Sequence, residues 1–215
     1  MLRFRLFGIP IFVQPFFWVI MALFGGGVEV LQTPSSQGFV NVIVFIAAGF
    51  LSVLVHEMGH ALVNRRYGRH PHIILHGLGG VAISQGPRLS RVQNILMIAA
   101  GPGLQILLGI IALIIIRTVG PEDSFPTQQS YHFVHSLMYI SIAWAVLNLI
   151  PIYPLDGGQI LSNILGPRRS KITHIVSIVV GVGAILLLLL GGSLPFFAIL
   201  ILGMLVYDNI RAIKR

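Results

Sequence analysis

Cysteine is absent from these 215 residues, and charge is scarce. The first absence excludes disulfides and thiol catalysis and leaves the redox compartment open. The second excludes an ordinary water-exposed surface, because 9% of the residues are charged against about 25% in a soluble domain. Acidic residues are the scarcest of all, six against 14 basic ones. What remains is apolar: 55% hydrophobic residues and a mean hydropathy of +0.90. Such a chain is expected in a bilayer.

The apolar residues come in runs. They are FFWVIMALFGGGV (16–28, with GIPIFVQP ahead of it), residues 38–63, 95–116, 133–150, 172–190 and 194–210. A membrane-crossing helix needs roughly 20 such residues, so the first run is short unless upstream residues contribute. The expected fold class is an all-α polytopic membrane protein with about six transmembrane helices and a short re-entrant β-hairpin. The spans and their linkers are expected to use residues 1–215 as a single domain, leaving no room for an added peptide-binding or nucleotide-sensing domain.

Charge supplies a topology. Basic clusters (Arg3 and Arg5; Arg65, Arg66, Arg69, Arg88 and Arg91; Arg168, Arg169 and Lys171; Arg211, Lys214 and Arg215) alternate with acidic or neutral loops (Glu29; Glu122 and Asp123; the GGS turn at 191–193). With six spans, only Arg117 of the 14 basic residues falls on the far side. The positive-inside rule then places both termini in the cytoplasm of a multi-pass cell-membrane protein. The net charge of +8 is thereby explained without nucleic acid as a partner. No small-residue cleavage site follows Phe24, so a signal peptide is not expected.

Between the second and third runs lies HPHIILHGLGGVAISQG, residues 70–86. Its β-branched residues flank HGLGG, which predicts a short hairpin. At membrane depth such a hairpin requires protein or a cavity over its backbone groups.

The sharpest signal is VLVHEMGHALV, residues 53–63. His56 and His60 are four apart and share one helix face, so both imidazoles reach one metal ion. Glu57 points beside that ion, where it can take a proton from water. HExxH with this division of labour is the metalloprotease signature. Ionisable groups inside a span are costly and are functional by default. The bland alternative is a structural ion pair with two satisfied histidines.

Catalytic zinc usually keeps three protein ligands. Besides Glu57 the acidic residues are Glu29, Glu122, Asp123, Asp156 and Asp208. The topology puts Glu29, Glu122 and Asp123 on the far side. Asp208 has suitable depth and no supporting context. Asp156 lies in NLIPIYPLDGGQIL, residues 148–161, where the fourth run ends. There Pro151 and Pro154 break the helix, and Gly157 and Gly158 are expected to permit a tight turn beside the metal. Asp156 could instead cap the segment that follows, and capping and ligation do not exclude each other.

HEMGH at 56–60, together with NLIPIYPLDGG at 148–158, resembles the site-2 intramembrane metalloproteases. The resemblance covers nearly the whole chain. GIPIFV (8–13) looks like that family's amino-terminal strand, HGLGGVA (76–82) like its membrane hairpin, and GPGLQ (101–105) like its third-span motif. It implies an intramembrane zinc endopeptidase that cuts transmembrane segments of other membrane proteins near the cytoplasmic face. His56, His60 and Asp156 would hold one zinc ion per chain, Glu57 would be the general base, and Asn148 would orient or stabilise the reacting carbonyl. One position departs from the pattern: Gln105 stands where the family often has asparagine.

Rival readings are a six-span transporter with His56, Glu57 and His60 as an ion path, a prenyl-protein endopeptidase, and a proteolytically dead scaffold. The first has no use for LDGG. The second normally draws a glutamate from a later helix, and this chain offers only Asp156 there. The third lacks any missing catalytic side chain. His70, His72 and His76 are expected to be interfacial, and His132 and His135 to share a far-side helix face. Ser141 and Ser177 lack a base partner at helix spacing, so serine hydrolysis is unsupported.

Overall fold

The structure is a computed structural model that describes residues 1–77, 79–191 and 196–214. Leu78 of HGLGG, residues 192–193 of the expected GGS turn, residues 194–195 of the last apolar run, and Arg215 lie outside the described residues. The chain divides into two compact units. One comprises Met1–Arg88 and Ala100–Ala145, the other Leu89–Ala99 and Val146–Arg215.

The first unit opens with strands β1 (Leu2–Leu6) and β2 (Ile9–Val13). Their two-residue connection places Phe7 at φ 49° and Gly8 at φ 75°. Two successive left-handed residues make the turn that matches the twist of an antiparallel hairpin. Helices α1 (Pro15–Phe24) and α2 (Gly27–Gln32) follow. The break falls at Gly25 and at Gly26, the latter left-handed at φ 87°. The first apolar run is therefore two short helices. The ten residues of α1 rise about 15 Å, half the roughly 30 Å of a hydrocarbon core.

Helix α3 (Ser36–Arg66) is the axis of this unit, 31 residues long. The Ser35 hydroxyl caps it by accepting from the Gly38 N–H at 3.0 Å, and Arg65 and Arg66 in the last turn suit the negative end of the helix dipole. At about 46 Å it is longer than the hydrocarbon core. Around the HExxH segment it is buried on every side, from Ser52 to Leu54 and again from His56 to Ala61. A helix apolar and buried all round lies inside a bundle.

The hairpin of β3 (His70–His76) and β4 (Gly79–Gln85) forms in antiparallel register, with His70 opposite Gln85 and His76 opposite Gly79. It is part of a larger sheet in the order β1-β2-β3-β4, in which β2 and β3 run parallel. The helical class thus carries a four-stranded mixed sheet where a short hairpin and, at GIPIFV, an amino-terminal strand were expected. Alternation explains how β2 and β3 pack: Ile9, Ile11, Val13, Ile73 and Leu75 point inward and join Phe17, Met21, Val53, Leu54, Met58 and Ala61 in one core. Arg65 donates to the Phe7 carbonyl. Arg69 donates to the Ser84 and Pro87 carbonyls at 2.7 and 3.1 Å. These arginines tie the sheet to the end of α3 and the residues just after it.

Helices α4 (Arg91–Val119) and α5 (Gln128–Leu149) contribute to both units. Unit two adds α6 (Asp156–Leu165), α7 (Ser170–Leu190) and α8 (Phe196–Ile213). Helix α7 has two characters. Thr173, Ser177 and Gly181 are buried at four-residue spacing. Ile172, Ile175, Val179, Val182 and Leu186 form an exposed apolar stripe, the composition a lipid-facing surface requires. Among the described residues four helices are long and apolar enough to cross a membrane: α3, α4, α5 and the helical segment Pro167–Leu190.

Candidate metal centre

His56, Glu57 and His60 lie within about three turns of the end of α3 and are 4%, 4% and 8% exposed. Their Nε2 atoms set the geometry: those of His56 and His60 are 3.1 Å apart, with the rings crossed at 81°. Two imidazole nitrogens sharing one tetrahedral zinc lie about 3.3 Å apart, given Zn–N bonds of ~2.0–2.1 Å. The pair therefore fits a common ion.

A buried chain of polar groups fixes the first of these rings. His56 Nδ1 lies 2.9 Å from Gln105 Oε1. Gln105 Nε2 donates to Ser52 Oγ at 2.9 Å, and Ser52 Oγ is 2.9 Å from Ser141 Oγ. Gln105, Ser52 and Ser141 are fully buried. Because the amide nitrogen of Gln105 is committed to Ser52, its oxygen faces the imidazole and accepts from Nδ1–H. That fixes the tautomer and leaves the Nε2 lone pair for a ligand. The amide that departs from the family pattern thus bonds a proposed metal ligand. Neither Ser52 nor Ser141 announces itself in the sequence, because they are 89 residues apart and meet only when α3 packs on α5.

Two glycines let other elements approach this helix. A Cβ on Gly101 of α4 would come within 2.3 Å of His60 Nε2, and one on Gly59 within 2.4 Å of the Ala100 carbonyl oxygen. The GPG segment is therefore where α4 closes on the histidine face of α3. A Cβ on Gly80 of β4 would come within 2.4 Å of Glu57 Cγ and 2.8 Å of its Oε1. The hairpin so lies directly against the carboxylate, and β4 is an edge of the sheet.

In the second unit Asp156 is the first residue of α6 and is 7% exposed. Leu155 occupies the N-cap position, so Asp156 is not the capping residue. Gly157 and Gly158 lie within α6 and do not form the turn expected of them. Their need is space: a Cβ on Gly157 would meet the Leu149 carbonyl oxygen at 2.1 Å, and one on Gly158 the Tyr153 nitrogen at 2.3 Å. Asn148 stands half-buried in the last turn of α5. Asp208 is exposed on α8, whereas its neighbour Asn209 is 2% exposed. His70, His72 and His76 belong to β3. His132 and His135 both lie against the Tyr131 ring, with centroids 5.9 and 5.8 Å away.

Comparison with known proteins gives consistent kin. The model of peptidase family M50 matches residues 116–190. A zinc metalloprotease of Methanocaldococcus jannaschii is 30% identical over 202 residues, covering 93% of this chain and 56% of that protein. A Synechocystis protein provisionally named a zinc metalloprotease is 32% identical over 166 residues, 74% of this chain and 42% of its own length. The chain spans about half the length of these curated relatives. The solved site-2 protease from Methanocaldococcus jannaschii matches with a TM-score of 0.64 at 25% identity, over 99% of this chain and 94% of that one. With the buried HExxH helix in place, residues 116–190 match peptidase family M50, and likeness to a site-2 protease runs along almost all of the chain's length.

Proposed function

We propose that the protein is a zinc-dependent endopeptidase that hydrolyses peptide bonds in or near transmembrane segments of other membrane proteins, at the cytoplasmic side of the bilayer. The observation that carries this reading is the buried histidine pair of HExxH: His56 Nε2 and His60 Nε2 lie 3.1 Å apart on α3, with Glu57 in the same turn. Two imidazoles and a carboxylate are the donors of a catalytic zinc site with one position left open. His56, His60 and Asp156 would hold one ion per chain, and zinc bound there would supply a Lewis acid that acidifies water and polarises a carbonyl.

The chain's own groups do the rest. Glu57, adjacent in sequence to a ligand and screened by β4, takes the proton from the attacking water and delivers it to the leaving amide nitrogen. Asn148 donates to the carbonyl oxygen as it gains negative charge. Gln105 holds His56 in the tautomer that leaves Nε2 available.

A helical substrate hides its carbonyls in its own hydrogen bonds, so it must be extended to be cut. The position of β4 supports strand addition as the route, because it is an edge strand that touches Glu57 through Gly80. The sheet would then be re-entrant, with its backbone groups covered on the α3 side. Residues 1–215 would act as one catalytic domain with about six spans, α8 and the α1–α2 segment supplying the two beyond the four long helices. The basic clusters put both termini in the cytoplasm of a cell-membrane protein.

The test is direct. Purified full-length protein in detergent, given transmembrane peptides, should cleave them, and a zinc chelator should stop it. Restoring zinc should restore cleavage. Cleavage that persists after the metal is removed would refute the proposal.

A further inference from the structure

Asn209 is a buried amide on a largely apolar helix. It is 2% exposed, and such a group costs several kcal/mol in an apolar setting unless it is hydrogen-bonded. All of its bonding goes to neighbouring elements and its own helix. Asn209 Nδ2 donates to the Tyr153 carbonyl at 2.6 Å and to the Leu205 carbonyl at 2.8 Å. Asn209 Oδ1 accepts from His174 Nδ1 of α7 at 2.8 Å. The His174 ring stands edge-on to Tyr153, with centroids 5.6 Å apart.

Tyr153 is held at its other end too. Its N–H donates to Ser177 Oγ at 2.9 Å, and Ser177 Oγ is anchored by donating to the Thr173 carbonyl at 2.8 Å. Both backbone polar groups of one loop residue are thus taken by side chains, one from α7 and one from α8. Past this residue the chain has little freedom left. The Leu155 N–H donates to the Ile152 carbonyl at 2.8 Å, and Gln159 Nε2 donates to the Pro154 carbonyl at 2.9 Å. Asp156 comes next.

Tying α8 to α7 would need only the His174–Asn209 bond. A second bond from Asn209 into the loop, matched by one from Ser177, constrains the backbone three residues before the carboxylate. We infer that Asn209 and Ser177 are positioning residues for Asp156, fixing the loop that aims its carboxylate at the metal. The inference rests on Asp156 being a zinc ligand. It makes the carboxy-terminal helix part of the zinc site's support, although none of its side chains is a proposed ligand.

Zinc affinity of the purified full-length protein, read by competition with a chromophoric chelator, provides the test without recourse to activity. Asn209→Leu keeps the branching at Cγ, adds some volume and removes every side-chain hydrogen bond. Groups that orient a metal ligand typically contribute 10–100-fold to affinity, and a loss of that order is expected. Ser177→Ala should weaken zinc in the same direction by less, and Asp208→Ala, one residue from Asn209 and exposed, should not. The effect must also act through the carboxylate, so in an Asp156→Ala background Asn209→Leu should cost nothing further.

Full zinc affinity in both Asn209→Leu and Ser177→Ala, with Asp156→Ala weakened, would overturn the inference alone. So would an equal loss from Asn209→Leu with and without Asp156. Undiminished affinity in Asp156→Ala would remove the ligand assignment, and the inference with it. Thermal melts of the metal-free variants show whether each is folded; if Asn209→Leu is not, Ser177→Ala, which loses one hydroxyl, decides the matter.

Discussion

Three residues of one turn show how much chemistry a single helix can carry. The i, i+4 spacing brings His56 Nε2 and His60 Nε2 to 3.1 Å, and the same turn leaves Glu57 beside them. Replacing Glu57 by Gln retains the shape and the first ligands but removes the base. The Glu57→Gln protein should bind zinc nearly as well as wild type and lose peptide hydrolysis. Metal content and cleavage measured on the same sample check this, and a zinc-loaded variant cutting at the wild-type rate would rule out the base. Gln105→Leu attacks a different link. It strands the His56 Nδ1–H in a buried site, a cost of about 1–3 kcal/mol, and frees the ring to turn. Zinc affinity should fall about 10–100-fold by chelator competition, whereas Gln105→Asn should retain part of it if the shorter amide can still reach.

Elements matter here for what they bring close. Strand β4 would be an unremarkable edge were it not for Gly80, which lets it lie against Glu57. If substrate adds to that edge, an extended peptide analogue bearing a zinc-binding group should slow hydrogen exchange at outward-facing amides among residues 79–85. Exchange in β1, the other edge of the sheet, should be unchanged. Equal protection of both edges, or of neither, would count against strand addition. Helix α4 illustrates the same logic from the other direction. Alanine at Gly101 would place a methyl group within 2.3 Å of a proposed ligand nitrogen, and relieving such an overlap typically costs about 1–3 kcal/mol.

For the molecule as a whole the open question is orientation in the bilayer. The exposed apolar stripe of α7 and the four long apolar helices suit lipid, and the proposed orientation rests on the basic clusters. Single cysteines at Arg66, Arg169 and Glu122 can be probed with an impermeant thiol reagent in intact cells, with no native cysteine to interfere. Position 122 should label from outside, and positions 66 and 169 only after permeabilisation. The reverse pattern would overturn the cytoplasmic assignment.

Some of this was determined by sequence alone, because it rests on local rules. Apolar run length fixed α3, α4, α5 and α7, helical spacing fixed the histidine pair, and β-branched residues around HGLGG fixed the β3–β4 hairpin. Only the tertiary structure decided the rest. The break of the first run at Gly26 depends on backbone conformation, and the extension of the hairpin into a four-stranded sheet depends on β2 meeting β3, some sixty residues further on. Gly157 and Gly158 looked like turn residues and serve close packing instead, a distinction invisible without the segment they face. Gln105 could not be given a role from the motif, and Asn209 gave no signal beside the more conspicuous Asp208. Their partners lie tens of residues away, and a polar side chain's function in an apolar bundle is set by which distant group it satisfies. Periodicity records which face of a helix is buried, but not what that face will meet.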